Sequence, residues 1–188
     1  GGRARRGRAD RDARRATIGR WASGWRTLFP LPAVASRMER VDVNDLENRP
    51  RAALVTKGLT GPLGLSEMAL NYYELEPGDS FSGGVHTHTN QEESFYVLEG
   101  VATFETLDGE YEVGAGEAIR FAPGEYQEGR NEGDDRVRAL ALGAPQEVGE
   151  VRVPLACREC GSAEYHVSHV HEDGITMECP ECGNTFDV

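Results

Sequence analysis

The four cysteines of this chain constrain its fold more than any other residues. They stand as two CxxC pairs, Cys157–Cys160 and Cys179–Cys182, separated by eighteen residues near the C-terminus. A segment this short cannot bury enough apolar surface to hold itself together. Its fold must therefore be organised by the thiols. The spacing suits four thiolates around a tetrahedral zinc ion in a reducing compartment better than a disulfide framework. A glycine follows each pair, Gly161 and Gly183, and leaves the backbone free to turn its amides toward the thiolates. Four thiolates leave no open coordination position. This zinc is thus structural, and binding it and folding are one event.

Charge divides the chain elsewhere. Residues 1–37 carry ten arginines and two aspartates, a balance of +8, whereas 38–188 carry ten basic and thirty acidic residues, a balance of −20. So acidic a body repels polyanions, which argues against direct nucleic-acid binding. With Lys57 its only lysine, it also has the surface expected of a halophilic protein, kept soluble where salt screens its charges. The arginine-rich segment lacks an apolar period, and disorder is expected. Met38 opens the acidic part, so what precedes it reads equally as an upstream extension of the start. Arg14-Arg15, the stretch TLFPLPAVA and Ala33-Val34-Ala35 are elements of a twin-arginine export signal, but Arg26 and two prolines interrupt them. No apolar run reaches bilayer length. A soluble cytoplasmic protein is expected, with export as the alternative.

From Ala69 onward short apolar-alternating runs are punctuated by turn signals. ALNYYELE precedes Pro77-Gly78-Asp79, SFYVLEG and VATFETL close at Asp108-Gly109, YEV meets Gly114-Ala115-Gly116, EAIRF meets Pro123-Gly124, and VRALALG follows NEGDD. This spacing predicts an all-β sandwich or barrel over 38–150, with little helix beyond a turn near Val43–Glu47. Residues 145–155 read as a linker into a cysteine-bearing unit over 151–188.

Within the barrel region, Gly83–Gly100 reads GGVHTHTNQEESFYVLEG. Residues i and i+2 of a strand share a face, so His86 and His88 point the same way. If the next strand pairs with theirs, Glu93 comes near both imidazoles. Two neutral nitrogens and a carboxylate suit a divalent transition metal with open positions. Glu92 then points outward into solvent, while Phe95, Tyr96, Phe104 and Phe121 read as core or pocket wall.

The pattern resembles the cupin family over about 70–142. His86-Thr87-His88, four residues, Glu93, six residues and Gly100 match its first motif. Gly116, five residues, Ala122-Pro123-Gly124, Gln127 and Asn131 follow its second. Three positions depart from it. Gly78 lies two residues too far from His86, Ala122 stands where proline is usual, and Gln127 replaces the second motif's histidine. The resemblance implies a double-stranded β-helix, or jelly-roll barrel, holding Mn, Fe, Zn, Ni or Cu through His86, His88 and Glu93. Gln127 is then a fourth ligand or a group that orients a bound water. As a neutral oxygen donor it penalises copper and zinc more than manganese or ferrous iron. The tail looks like a rubredoxin-type zinc ribbon. Its His166, His169 and His171 read as part of an exposed hairpin turning at Asp173-Gly174.

Two functions follow from the resemblance. One is a small-molecule metalloenzyme of dioxygenase, isomerase or decarboxylase type. The other is a non-catalytic sensor of a small ligand or metal, whose acidic ribbon contacts a protein partner. A homodimer is implied by family habit.

Overall fold

In the computed structural model, which describes residues 38–49, 52–161, 163–171 and 174–188, strands dominate as the alternation predicts. Among the described residues a single 3-10 turn, Val43–Asp45, is capped by the Asp42 carboxylate accepting from the Asn44 amide. The strands in chain order are β1 (Val55–Gly58), β2 (Ala69–Leu75), β3 (Thr87–His88), β4 (Glu92–Glu99), β5 (Val101–Thr106), β6 (Gly109–Gly114) and β7 (Ala118–Phe121). They continue as β8 (Gln127–Arg130), β9 (Val137–Ala144), β10 (Val151–Val153), β11 (His166–Val170), β12 (Ile175–Glu178) and β13 (Thr185–Asp187). The arginine-rich segment, with its readings as disorder or export signal, lies outside the described residues. So does Asp173 of the hairpin turn, although the His171 amide reaches the Gly174 carbonyl at 2.8 Å.

Two sheets face each other across the core, one ordered β1-β2-β9-β4-β7 and the other β6-β5-β8. Period-two alternation decides what they bury. Strand β9 turns Val137, Ala139 and Ala141 inward, and β4 does the same with Phe95 and Val97. From the opposite sheet Ala102 and Phe104 of β5 meet them, both fully buried. Phe104 lies 4.9 Å from Phe95 and 5.6 Å from Phe121 between ring centroids, so aromatic contacts stitch the sheets together.

Strand β8 escapes the sequence reading because its inward positions are not apolar side chains. They are Gln127 and Gly129. A Cβ on Gly129 would sit 2.4 Å from the Phe104 ring and 2.6 Å from that of Phe81. Glycine is there because two aromatic rings occupy the space. Gly129→Ala is accordingly expected to lower stability by about 1–3 kcal/mol through overpacking, read as a lower urea midpoint at unchanged slope.

A third sheet runs β13-β12-β11-β10-β3. Part of the segment read as a linker is therefore a strand, whose backbone groups pair on both sides. Val151 and Arg152 oppose His88 and Thr87 of β3, and Val151–Val153 oppose Ser168–His166 of β11. The Arg152 guanidinium carbon also lies 4.4 Å from the Tyr165 ring centroid. Glu39–Val188 is one compact unit, and the cysteine-bearing sheet continues directly into the strand that carries His88.

Candidate metal centres

His86 stands just before β3 and forms a two-way backbone bridge with Gln127 of β8. Its amide donates to the Gln127 carbonyl at 3.1 Å, and the Gln127 amide returns a bond at 2.9 Å. Cross-strand partners share a face, so the Gln127 side chain lies beside His86. His88 is two residues on, and the imidazoles sit 5.1 Å apart at right angles.

The pairing expected of the histidine strand with the next strand does not occur. Strand β4 pairs with β7 and β9 instead. The chain leaves β3 through residues 89–91 and enters the β1-β2-β9-β4-β7 sheet, from which Glu93 approaches the imidazoles. It shares the inward face of β4 with Phe95. One ligand atom from each of His86, His88 and Glu93 falls within 4.8 Å of the others. His88 Nε2 is 3.6 Å from Glu93 Oε2, and Gln127 Nε2 donates to that same oxygen at 2.9 Å. Glu92 points outward and holds the Arg120 Nε at 2.7 Å, as alternation requires.

The donor set fits a cation. His86 Nδ1 lies 2.8 Å from the Gly84 carbonyl, which fixes the proton there and leaves the Nε2 lone pair free. Burial pushes this imidazole below its ordinary pKa and keeps it neutral, with the Gly84 bond and the Glu93 charge opposing the shift. His88 Nδ1 and Gln127 Oε1 are buried without a hydrogen-bond partner. Orphaned polar atoms of this kind cost about 1–3 kcal/mol each. An ion accepting the Gln127 oxygen would recover that cost. Gln127 thus steers the Glu93 carboxylate with its amide nitrogen while its oxygen has no protein partner. The Gly84 carbonyl has no signature beyond the Gly83-Gly84 doublet, and sequence reasoning missed it.

The four cysteines also come together, with every sulfur within 4.8 Å of the others. Cys157 and Cys182 are 3.8 Å apart, as are Cys160 and Cys179. Thiolates about 2.3 Å from a tetrahedral ion stand about 3.8 Å apart, so the geometry matches a four-thiolate site and none of these pairs is a disulfide. The Gly161 amide donates to the Cys157 carbonyl at 3.0 Å and Gly183 to Cys179 at 2.9 Å, with φ of 69° and 70°. These matched glycine turns form the two knuckles of a zinc-ribbon arrangement. Backbone amides of Cys160 and Glu159 pull the Cys157 thiol below its usual pKa. At Cys182 the Asn184 amide pulls down too, but the crowded thiols and burial win and push it up to about 12. Four sulfurs this close ionise together only around a cation.

His166 is not part of an exposed hairpin. It is 1% exposed, its Nδ1 2.7 Å from the Leu155 carbonyl and its ring against Phe186 at 5.3 Å. His169 is exposed, with Nε2 3.0 Å from Glu178 Oε2, and His171 is exposed as well.

Comparison with known families matches residues 71–143 to the cupin domain. This stretch is a cupin domain. Its span agrees with the resemblance read over about 70–142. Solved structures similar to the chain include the polyketide cyclase RemF from Streptomyces resistomycificus, at 28% identity over 65% of this chain and 89% of that one, with a TM-score of 0.54. A cupin-superfamily sugar phosphate isomerase from Silicibacter pomeroyi aligns at 21% identity over 79% and 91%, with a TM-score of 0.52. A predicted oxalate decarboxylase from Thermotoga maritima aligns at 20% identity over 56% and 98%, with a TM-score of 0.50. The last two show the cupin fold alone. Among curated proteins none matches the chain. Among the described residues no helix is long and apolar enough to cross a membrane.

Proposed function

We propose that the cupin domain holds one divalent transition ion through His86, His88 and Glu93, with the Gln127 oxygen as a weaker fourth donor, and that a small organic molecule reacts there. The ribbon holds a structural zinc. One observation carries this reading: three ligand atoms, two from the β3 segment and one from β4, lie within 4.8 Å, beside a buried amide oxygen with no partner. When bound, such an ion polarises a substrate oxygen as a Lewis acid or, if redox-active, brings substrate and dioxygen together. Around it, His86 is held in one tautomer by Gly84, and Glu93 is oriented by Gln127. The named relatives are a cyclase, an isomerase and a predicted decarboxylase. The fold hosts all three and does not choose.

Elemental analysis of the purified chain tests the reading. Two metals per chain support it, and zinc alone at one per chain refutes the barrel site. A second reading, a non-catalytic sensor whose ribbon contacts a protein partner, draws support from β10, which joins the strand of His88 to the ribbon. Two metals per chain without turnover of any oxygenated organic substrate would favour it.

Replacing Gln127 by histidine exchanges a neutral oxygen for imidazole. The Gln127→His chain is expected to bind nickel or zinc in the barrel about 10–100-fold more tightly, the scale on which neighbouring groups tune metal affinity. Unchanged affinity in a competition titration would remove Gln127 from the ligand set.

A further inference from the structure

The two facing sheets do not close on each other everywhere. Strand β7 is the free edge of one and β6 the free edge of the other. Between these edges runs a groove of about 450 Å³. None of the four barrel-site residues lines it, yet strand register ties it to them. Phe121 is the cross-strand partner of Glu93, and Ile119 of Phe95. On the other wall, Thr106 is the partner of Gln127 and Tyr111 of Phe104. Cross-strand partners share a face, so Phe121, Ile119, Thr106 and Tyr111 all point into the space between the sheets. Two of them, Phe121 and Thr106, flank Glu93 and Gln127 of the proposed metal site. Tyr126, adjacent to Gln127 in the chain, lines the groove as well.

Its chemistry is aromatic and lacks an unpaired cation. Phe121, Tyr111, Tyr126, Ile119 and the rim residue Leu107 supply apolar and ring surface. Arg120, the one basic residue there, is engaged by Glu92 on the outer face at 2.7 Å, while Asp108 and Glu125 add negative charge. A phosphate dianion would enter against two carboxylates, whereas a flat uncharged ring system stacks on the tyrosines at little cost. The volume falls within the range of pockets for drug-sized ligands, about 300–1,000 Å³.

We propose that this seam is the substrate site of the cupin domain, and that it takes a neutral, hydroxylated polycyclic aromatic molecule whose ring oxygens reach inward to the ion held by His86, His88 and Glu93. The inference rests on the metal-site reading above and adds the substrate class to it. It separates this chain from a sugar phosphate isomerase on charge alone.

Calorimetric titration of the metal-loaded full chain with 2,3-dihydroxynaphthalene, and separately with glucose 6-phosphate, tests it. The diol is expected to bind at least tenfold more tightly than the sugar phosphate. Tyr111 is 51% and Leu107 67% exposed, so Tyr111→Asp and Leu107→Asp leave the core intact. Each is expected to weaken diol binding at least tenfold, whereas Tyr111→Phe retains it. Preference for the sugar phosphate, or diol affinity indifferent to both aspartates, overturns the proposal. So does a dimer that Tyr111→Asp dissolves without changing diol affinity, since the seam would then be a contact between copies. Metal content measured on the same samples separates the two failures. A chain that loads barrel metal but ignores the diol refutes the seam and spares the metal centre. A metal-free barrel with Tyr111-dependent diol binding does the reverse.

Discussion

Replacing Cys179 with serine is expected to strip the ribbon of its metal and unfold it. Cys179 is fully buried, and its carbonyl accepts the Gly183 amide that closes the second knuckle. Among the described residues the buried apolar cluster around it contains only Cys157, Ala163 and Cys179. That is far too little to offset the conformational entropy of the segment. On the zinc-ribbon reading the ion supplies the stability, and structural zinc contributes about 10–16 kcal/mol in peptides of this kind. Hydrogen exchange should show protection lost from β11, β12 and β13 together, while β2, β4 and β9 keep theirs. Zinc content should fall by one equivalent per chain. Retained protection across β11 and β12 without metal would mean that the ribbon is held by its sheet and that the ion is dispensable to its fold.

Glu93→Gln is expected to empty the barrel site while leaving the fold standing. The two imidazoles and the Gln127 amide are neutral, so Glu93 supplies the only negative charge among the proposed donors. Its near-isosteric amide keeps the volume and offers the Gln127 nitrogen an oxygen to bond. The affinity loss should exceed the 10–100-fold typical of changes outside the ligand set. Elemental analysis should drop from two metals per chain to one, with the urea midpoint of the metal-free protein nearly unchanged. Equal metal content in both chains would exclude Glu93 as a ligand. His88→Ala gives an independent check, because His88 comes from β3 in the third sheet rather than from β4.

Much of the fold and of both candidate metal centres is legible in the sequence, for physical reasons. Alternation locates β2, β4, β5, β7 and β9, because each buries one apolar face. The cysteine spacing identifies the ribbon site, since two CxxC turns have few other uses. The spacing from His86 through Glu93 to Gly100 marks the three residues that meet as the candidate barrel site. What escapes depends on contacts distant in the chain. Strand β8 has glycine and glutamine where a strand ordinarily shows apolar side chains, because Phe81 and Phe104 already fill that space. Pairing of β10 with β3 joins residues far apart in sequence, with only the three-residue alternation Val151-Arg152-Val153 to mark the strand. The route by which Glu93 reaches the histidines is not readable either, since a turn between two strands does not say whether the chain stays in one sheet or enters another. His166 looks like its exposed neighbours because strand alternation shows that it differs from His169 but not which face is buried.

Strand β3 is two residues long, and β10 is its one strand neighbour in the third sheet. A chain cut before Val151 would leave that short border bare, with backbone donors and acceptors turned to water beside the histidines. Such margins recruit foreign strands and seed association between molecules. The appended ribbon therefore acts as a selvedge for the barrel. Anyone wishing to study the barrel alone should retain residues through Val153 or supply another cover.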